Sequence, residues 1–151
     1  MVTVKKIALL LMLVPALTAC KEKPTYSYLM RHPAYLHEEN MRCDRMVSKT
    51  SEDVQTCAEI KRANMDFMTL LNDQQMDPEA FGKRVMQAER ECVAAMKTME
   101  EAKHTLETQQ QAGQGDLPLL EKNYWAAKLS YKEKHTAVQQ LLVVIGTHSP
   151  E

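Results

Sequence analysis

Glycine is scarce in this chain, with four among 151 residues. That leaves little material for the Gly-rich loops that cradle phosphates. Aromatic residues are few as well: two Phe, one Trp and five Tyr. Strands draw on aromatic and β-branched side chains, so this composition argues against a sheet. Basic charge is not in excess either, 19 Lys/Arg standing against 20 Asp/Glu, and nothing marks a nucleic-acid partner. Enzyme signatures are missing: there is no Gly-x-Ser-x-Gly context, and no Cys is paired with a poised His. His37-Glu38-Glu39-Asn40-Met41 begins like a zinc-protease helix, but Met41 stands where the second His ligand is needed. We therefore expect no enzyme, no cofactor and no metal. What the chain has in quantity is Ala, Glu, Lys, Gln, Leu and Met, the better helix formers.

The first residues have the parts of an export signal. Lys5 and Lys6 are basic, Ile7 to Val14 is an unbroken apolar run, and Pro15 ends it just before Leu17-Thr18-Ala19-Cys20. The run is too short for a permanent span, which takes roughly 20 residues. Small residues directly before a Cys resemble the lipobox of bacterial lipoproteins, in which that Cys is cleaved free and acylated. The expectation is a signal peptide over residues 1–19, lipidation of Cys20 and a short tether over residues 20–24. Several acyl chains anchor stably where one is marginal. Lys21 stands where an Asp commonly signals inner-membrane retention, and so leans towards the outer membrane. Removal of the signal leaves 132 residues with seventeen Lys/Arg and twenty Asp/Glu, a net charge of −3.

Breakers and caps divide the remainder. A helix beginning near Thr25 is interrupted at Pro33, which suits the first position of a second helix running to about Val47. Thr50 and Ser51 before Glu52 and Asp53 make a start for a third, expected to run to about Leu71. Its predicted stripe is Val54, Cys57, Ile60 or Lys61, Asn64 or Met65, and Met68. Asp77-Pro78-Glu79 opens a fourth helix, to about Ala112, with Phe81, Val85, Ala88, Cys92, Ala95, Met99, Ala102 and Leu106 in a heptad-like seam. After Gly113-Gln114-Gly115, Asp116 caps a last helix ended by Gly146. Leu117, Leu120, Tyr124, Ala127, Tyr131, Val138, Leu141 or Leu142, and Ile145 form its stripe. A four-residue break between two long seams reads as an antiparallel hairpin. The predicted fold is all-α: a short helical unit over residues 25–72, then a coiled-coil-like hairpin arm over residues 77–146.

With Cys20 assigned to lipid, Cys43, Cys57 and Cys92 remain, an odd count for an oxidising compartment. Cys43 and Cys57, fourteen positions apart across a turn-like segment, are the natural disulfide pair of the short unit. Cys92 is expected to be a buried thiol, the alternative being a bond to a second copy. Nine Met remain after processing, including Met65-x-x-Met68 and Met96-x-x-Met99. Thioethers bind Cu(I), but no His is interleaved with these pairs, and the expectation is core packing. His104 and His135 are a second faint metal pair, able to meet only across the hairpin.

Around the first helices the order is Tyr28-Leu29-Met30-Arg31-His32-Pro33, then Cys43, then Cys57-Ala58-Glu59-Ile60-Lys61-Arg62-Ala63. Lipobox, Tyr-Leu-x-x-His-Pro and two spaced Cys resemble the EexN/TrbK-type entry-exclusion lipoproteins of conjugative elements. The match covers residues 5–66; the segment from Asp77 onward, with Cys92, has no counterpart in it. The resemblance implies a periplasm-facing, membrane-anchored protein that blocks redundant conjugative transfer by binding a component of the incoming type IV secretion channel. Tyr26, Tyr28, His32, Pro33 and Tyr35 are then the partner-binding candidates. The arm is expected to self-associate or to reach away from the membrane. The alternative is a structural or assembly lipoprotein of the envelope or of a secretion machine, using the arm as a scaffold.

Overall fold

A computed structural model describes residues 23–146. The signal segment, Cys20 and Lys21 lie outside the described residues. Five helices follow in order: α1 (Tyr26–Arg31), α2 (Pro33–Arg45), α3 (Ser51–Met76), α4 (Pro78–Ala112) and α5 (Leu117–Gly146). Among the described residues there is no strand, and no helix is long and apolar enough to cross a membrane. The architecture is all-α, with a disulfide-linked set of shorter helices and a long antiparallel helical hairpin made by α4 and α5.

The helix starts follow from local chemistry. The Thr25 hydroxyl accepts the Tyr28 N–H at 3.2 Å and caps α1. Thr50 and Asp53 form a reciprocal capping box at α3: each side chain accepts the other's backbone N–H, at 3.1 and 3.0 Å. The Thr50 hydroxyl also donates to Asp53 at 2.7 Å, and this bond first, then that of the Thr50 N–H, holds the Asp53 carboxyl below the usual carboxylate range. Asp77 caps α4 through the Ala80 N–H at 2.9 Å, and Asp116 caps α5 through the Leu119 N–H at 3.2 Å.

Helix α3 runs five residues past its expected end. Nothing in Asn72–Met76 breaks a helix, and the first obstacle is Pro78, which bars the preceding residue from helical geometry. Asp77 alone therefore joins α3 to α4. The two helices fold back on each other at this joint. Arg84 reaches Asp73 at 3.1 Å and its guanidinium lies over the Phe81 ring, while Leu70 shares a cleft with Ala88 and Glu91.

One apolar cluster draws on every helix: Leu29 and Met30 of α1, Leu36 and Cys43 of α2, Cys57, Ile60, Ala63 and Phe67 of α3, Phe81 and Val85 of α4, and Leu141 and Val144 of α5. It sits at the base of the hairpin, between the short helices and the joint. Two stripes differ from expectation. On α3 the buried line is Cys57, Ile60, Ala63 and Phe67, whereas Val54, Met65 and Met68 are exposed. The methionine pair of α3 is thus surface, not core, with Met65 69% exposed. Near the end of α5 the buried residue is Val144, not Ile145, because this end packs against α1 and α3 as well as α4.

The hairpin seam follows the expected positions along α4: Phe81 and Val85 are buried, and Ala88, Cys92, Ala95, Met99, Ala102 and Leu106 are half-buried. Lys134 pairs with Glu91 across the hairpin, and Gly115 lies against Gln109 at the tip. These contacts set one antiparallel register, which brings Ala95 level with Tyr131 and Ala102 level with Tyr124. Small residues of α4 thus oppose large ones of α5, the complementarity that lets two long helices approach closely. Cys92 is a free, half-buried thiol rather than a fully buried one.

The tip depends on backbone conformation. Gly113 is left-handed at φ 63°, and the Gln114 and Gly113 N–H groups return to Gln109 and Gln110, closing the end of α4. Open space surrounds the position where a Cβ would project from Gly113, so only the backbone opposes a side chain there. Gly113→Ala is expected to lower stability by about 1 kcal/mol, read as a reduced midpoint in urea with an unchanged slope. A wild-type midpoint would show that the tip adds nothing to folding.

Candidate functional site

The short helices carry the residues singled out above. Pro33 excludes His32 from helical conformation, so α1 stops there and α2 begins one residue on. His32 lies between the two helices at φ −127° and ψ 71°, its N–H bonded to the Leu29 carbonyl at 3.2 Å. This bend brings three rings together. Tyr28 and His32 are 4.1 Å apart between centroids, and Tyr28 meets Tyr35 edge-on at 5.6 Å. Tyr28 and His32 are exposed, while Pro33 and Tyr35 are half-buried. Lys23, Pro24 and Thr25 complete a shallow cleft of about 330 Å³ beside Tyr28 and Tyr35. The cleft therefore opens on the residues that follow the tether.

Tyr26 has a different place. Its ring packs against the core, its hydroxyl donates to Asp66 at 2.7 Å, and Arg62 lies over its face at 5.4 Å. It fastens α1 to the middle of α3, so the bend is held from behind as well as by Pro33. Nothing in the local sequence pointed to Asp66 or Arg62 as partners, since they stand some forty positions away. Burial, and then the bond to Asp66, raise the Tyr26 phenol from 10.0 to about 12. Tyr35 is raised too, first by burial and then by the charge of Glu39.

Cys43 and Cys57 are bonded, with Cα atoms 5.6 Å apart, and both are buried. The bond ties the C-terminal half of α2 to the first turns of α3, and Lys61 to Asp44 at 2.8 Å lies one turn further on. The bend is thus fixed at one end by proline and at the other by a covalent link. Cys20 lies outside the described residues.

The remaining candidates do not assemble. Among the described residues no three His, Cys, Asp or Glu side chains are grouped as a metal site. The hairpin register keeps His104 and His135 apart, since His135 lies beside Lys134 and Glu91 while His104 is far along towards the tip. No family model matches the chain, and no curated protein or solved structure does so either.

Two outcomes follow from this geometry. The Tyr26 phenol is raised in the folded state, so its contribution to stability is complete below pH 10 and is lost as pH rises towards about 12. Phenolate absorbance should show a late step to which Tyr26 contributes the latest part, and Tyr26→Phe should remove that part; an unchanged titration would break the assignment. For the disulfide, Cys43→Ser with Cys57→Ser should cost about 3 kcal/mol, the loop-closure value for this separation. Equal urea midpoints for the two proteins would show that the bond contributes no stability.

Proposed function

We infer that this chain is a membrane-anchored lipoprotein acting in entry exclusion, blocking redundant conjugative transfer by binding a component of the incoming type IV secretion channel. The observation that carries the reading is the exposed pair Tyr28 and His32, packed with Tyr35 at the bend made by Pro33. These are the residues of the Tyr-Leu-x-x-His-Pro motif on which the resemblance rests. Exposed aromatic rings on a rigid support are the side chains that most often anchor protein interfaces. The support here is rigid for stated reasons: a proline at the bend, a disulfide behind it and Tyr26 bonded to Asp66. No covalent chemistry is required of such a protein. Occupying a surface of the channel is sufficient.

A second reading is favoured by the hairpin. Helix α4 alone has 35 residues, about 50 Å of rod, more than the aromatic bend needs for its support. An assembly lipoprotein of the envelope or of a secretion machine would use this arm as its working part.

A mating assay separates the two. Plasmid-free recipients expressing the chain should receive fewer transconjugants from donors carrying the element that encodes it. The loss should disappear in Cys20→Ala recipients and weaken strongly in Tyr28→Ala/His32→Ala recipients. Unchanged transfer, with acylated protein present in the envelope, would reject exclusion in favour of the assembly reading.

A further inference from the structure

The outer face of α5, opposite the hairpin seam, carries a patch that neither the core nor the bend uses. Trp125 and Leu129 are each 58% exposed and lie one turn apart, with Leu119 exposed nearer the tip. Lys122, Lys128 and Lys132 lie within a turn of them, outnumbering Glu121 and Glu133 on the same face, and the Lys128 ammonium lies 4.5 Å from the Trp125 ring centre. These lysines differ from those of α4. Lys83, Lys97 and Lys103 each pair with a glutamate on their own helix, whereas Lys122, Lys128 and Lys132 have no ion pair among the described residues. Helix α5 carries four Lys and two Glu, a net +2, within a mature chain of net −3.

We propose that this face of α5 docks on an anionic lipid surface, that of the membrane in which the chain is anchored. The inference rests on the reading that Cys20 carries the lipid. Trp at the level of the headgroups, with lysine stems laid along the apolar surface and their charges towards phosphates, is how an interfacial helix is held. Charge selects the surface: each lysine close to an anionic surface adds attraction that a neutral one does not offer.

The placement of the tether supports this occupant over others. Cys20 to Glu22 span at most about 10 Å. Lys23 then pairs with Glu52 at 3.0 Å, at the end of α3 remote from the Asp77 joint. Trp125 and its lysines lie on the arm that the same chain carries beyond its core, on a face that no other helix covers. An arm laid along the surface presents that face to the headgroups. A membrane is also the one partner that a tethered chain meets at high effective concentration, so a weak patch suffices.

Trp125 is the only tryptophan and reports on the patch directly. The full-length acylated protein would be placed in nanodiscs of phosphatidylcholine, with or without phosphatidylglycerol, carrying brominated acyl chains as quencher. In the anionic discs we expect Trp125 emission at shorter wavelength and roughly half of it quenched, with most of the quenching lost in Lys128→Glu/Lys132→Glu. Emission typical of water-exposed indole, unquenched in anionic discs, would overturn the proposal. So would a shift that follows protein concentration whatever the lipid, since a second copy would then cover the face. Equal quenching in neutral and anionic discs would overturn the charge argument. Mass spectrometry of the same sample reads the acyl groups. A chain without them would reject the anchor, and quenching by brominated anionic vesicles added to that chain would still decide the patch.

Discussion

The bond between Cys43 and Cys57 is the constraint on which the short helices depend. Helix α1 has six residues and α2 has thirteen, lengths at which an isolated helix is not stable in water. Neither brings many apolar side chains of its own: Leu29 and Met30 from one, Leu36 and Cys43 from the other are what they bury. A link at the far end of α2 turns it from a segment that must find α3 into one already lying on it. Leu36 is then held over the core, and the bend at Pro33 has a fixed base on one side. Tyr26 on Asp66 supplies the other side. Without both, the ring cluster of Tyr28, His32 and Tyr35 would sit on two frayed helices and would present no defined surface.

The same bond ties folding to location. Disulfides persist in exported proteins and are kept reduced in the cytosol. If the first residues act as the export signal they resemble, a core partly made of cystine would be completed only after export. The resemblance at residues 1–20 and the bond between Cys43 and Cys57 are independent features, and both point to the same compartment. In the reduced chain the two sulfurs would still be buried small groups, but the loop between them would be free, and loop closure is the larger part of what the bond supplies.

Helix starts, and the close of α4 at Gly113, were legible because they are local. Thr25, Pro33, Thr50, Asp77-Pro78, Asp116 and the Gly113 tip each act through one or two hydrogen bonds or a fixed φ, and the structure uses each where it was read. Helix faces were legible only where a single partner runs the whole length. The α4 seam meets α5 along its length, with α3 joining only near the Asp77 joint, and its eight expected residues are all buried or half-buried. Helix α3 has two apolar lines. The exposed one, Val54, Met65 and Met68, is as periodic as the buried one, and periodicity alone favours neither. The choice is made by α1, α2 and α5 packing on the side of Ile60, Ala63 and Phe67, which depends on contacts between residues far apart in the chain. The same holds for Val144 over Ile145, and for Asp66 as the partner of Tyr26.

Burial is graded along the hairpin, and this bears on what its two ends can do. At the base, Phe81, Val85, Val138, Leu141 and Val144 are buried. Beyond them the seam holds only half-buried residues, with alanines on α4 facing tyrosines on α5. Local opening costs least where few apolar side chains are covered, so the distal arm should open well before the base. A segment of that kind gains most from an external surface, because docking adds cover where the chain itself provides little. The exposed apolar residues around Trp125 lie in this distal half. The aromatic bend lies instead on the part fixed by proline, disulfide and core. The recognition proposed for one end and the surface docking proposed for the other would place opposite demands on stability, and the gradient of burial would let one chain of this size meet both.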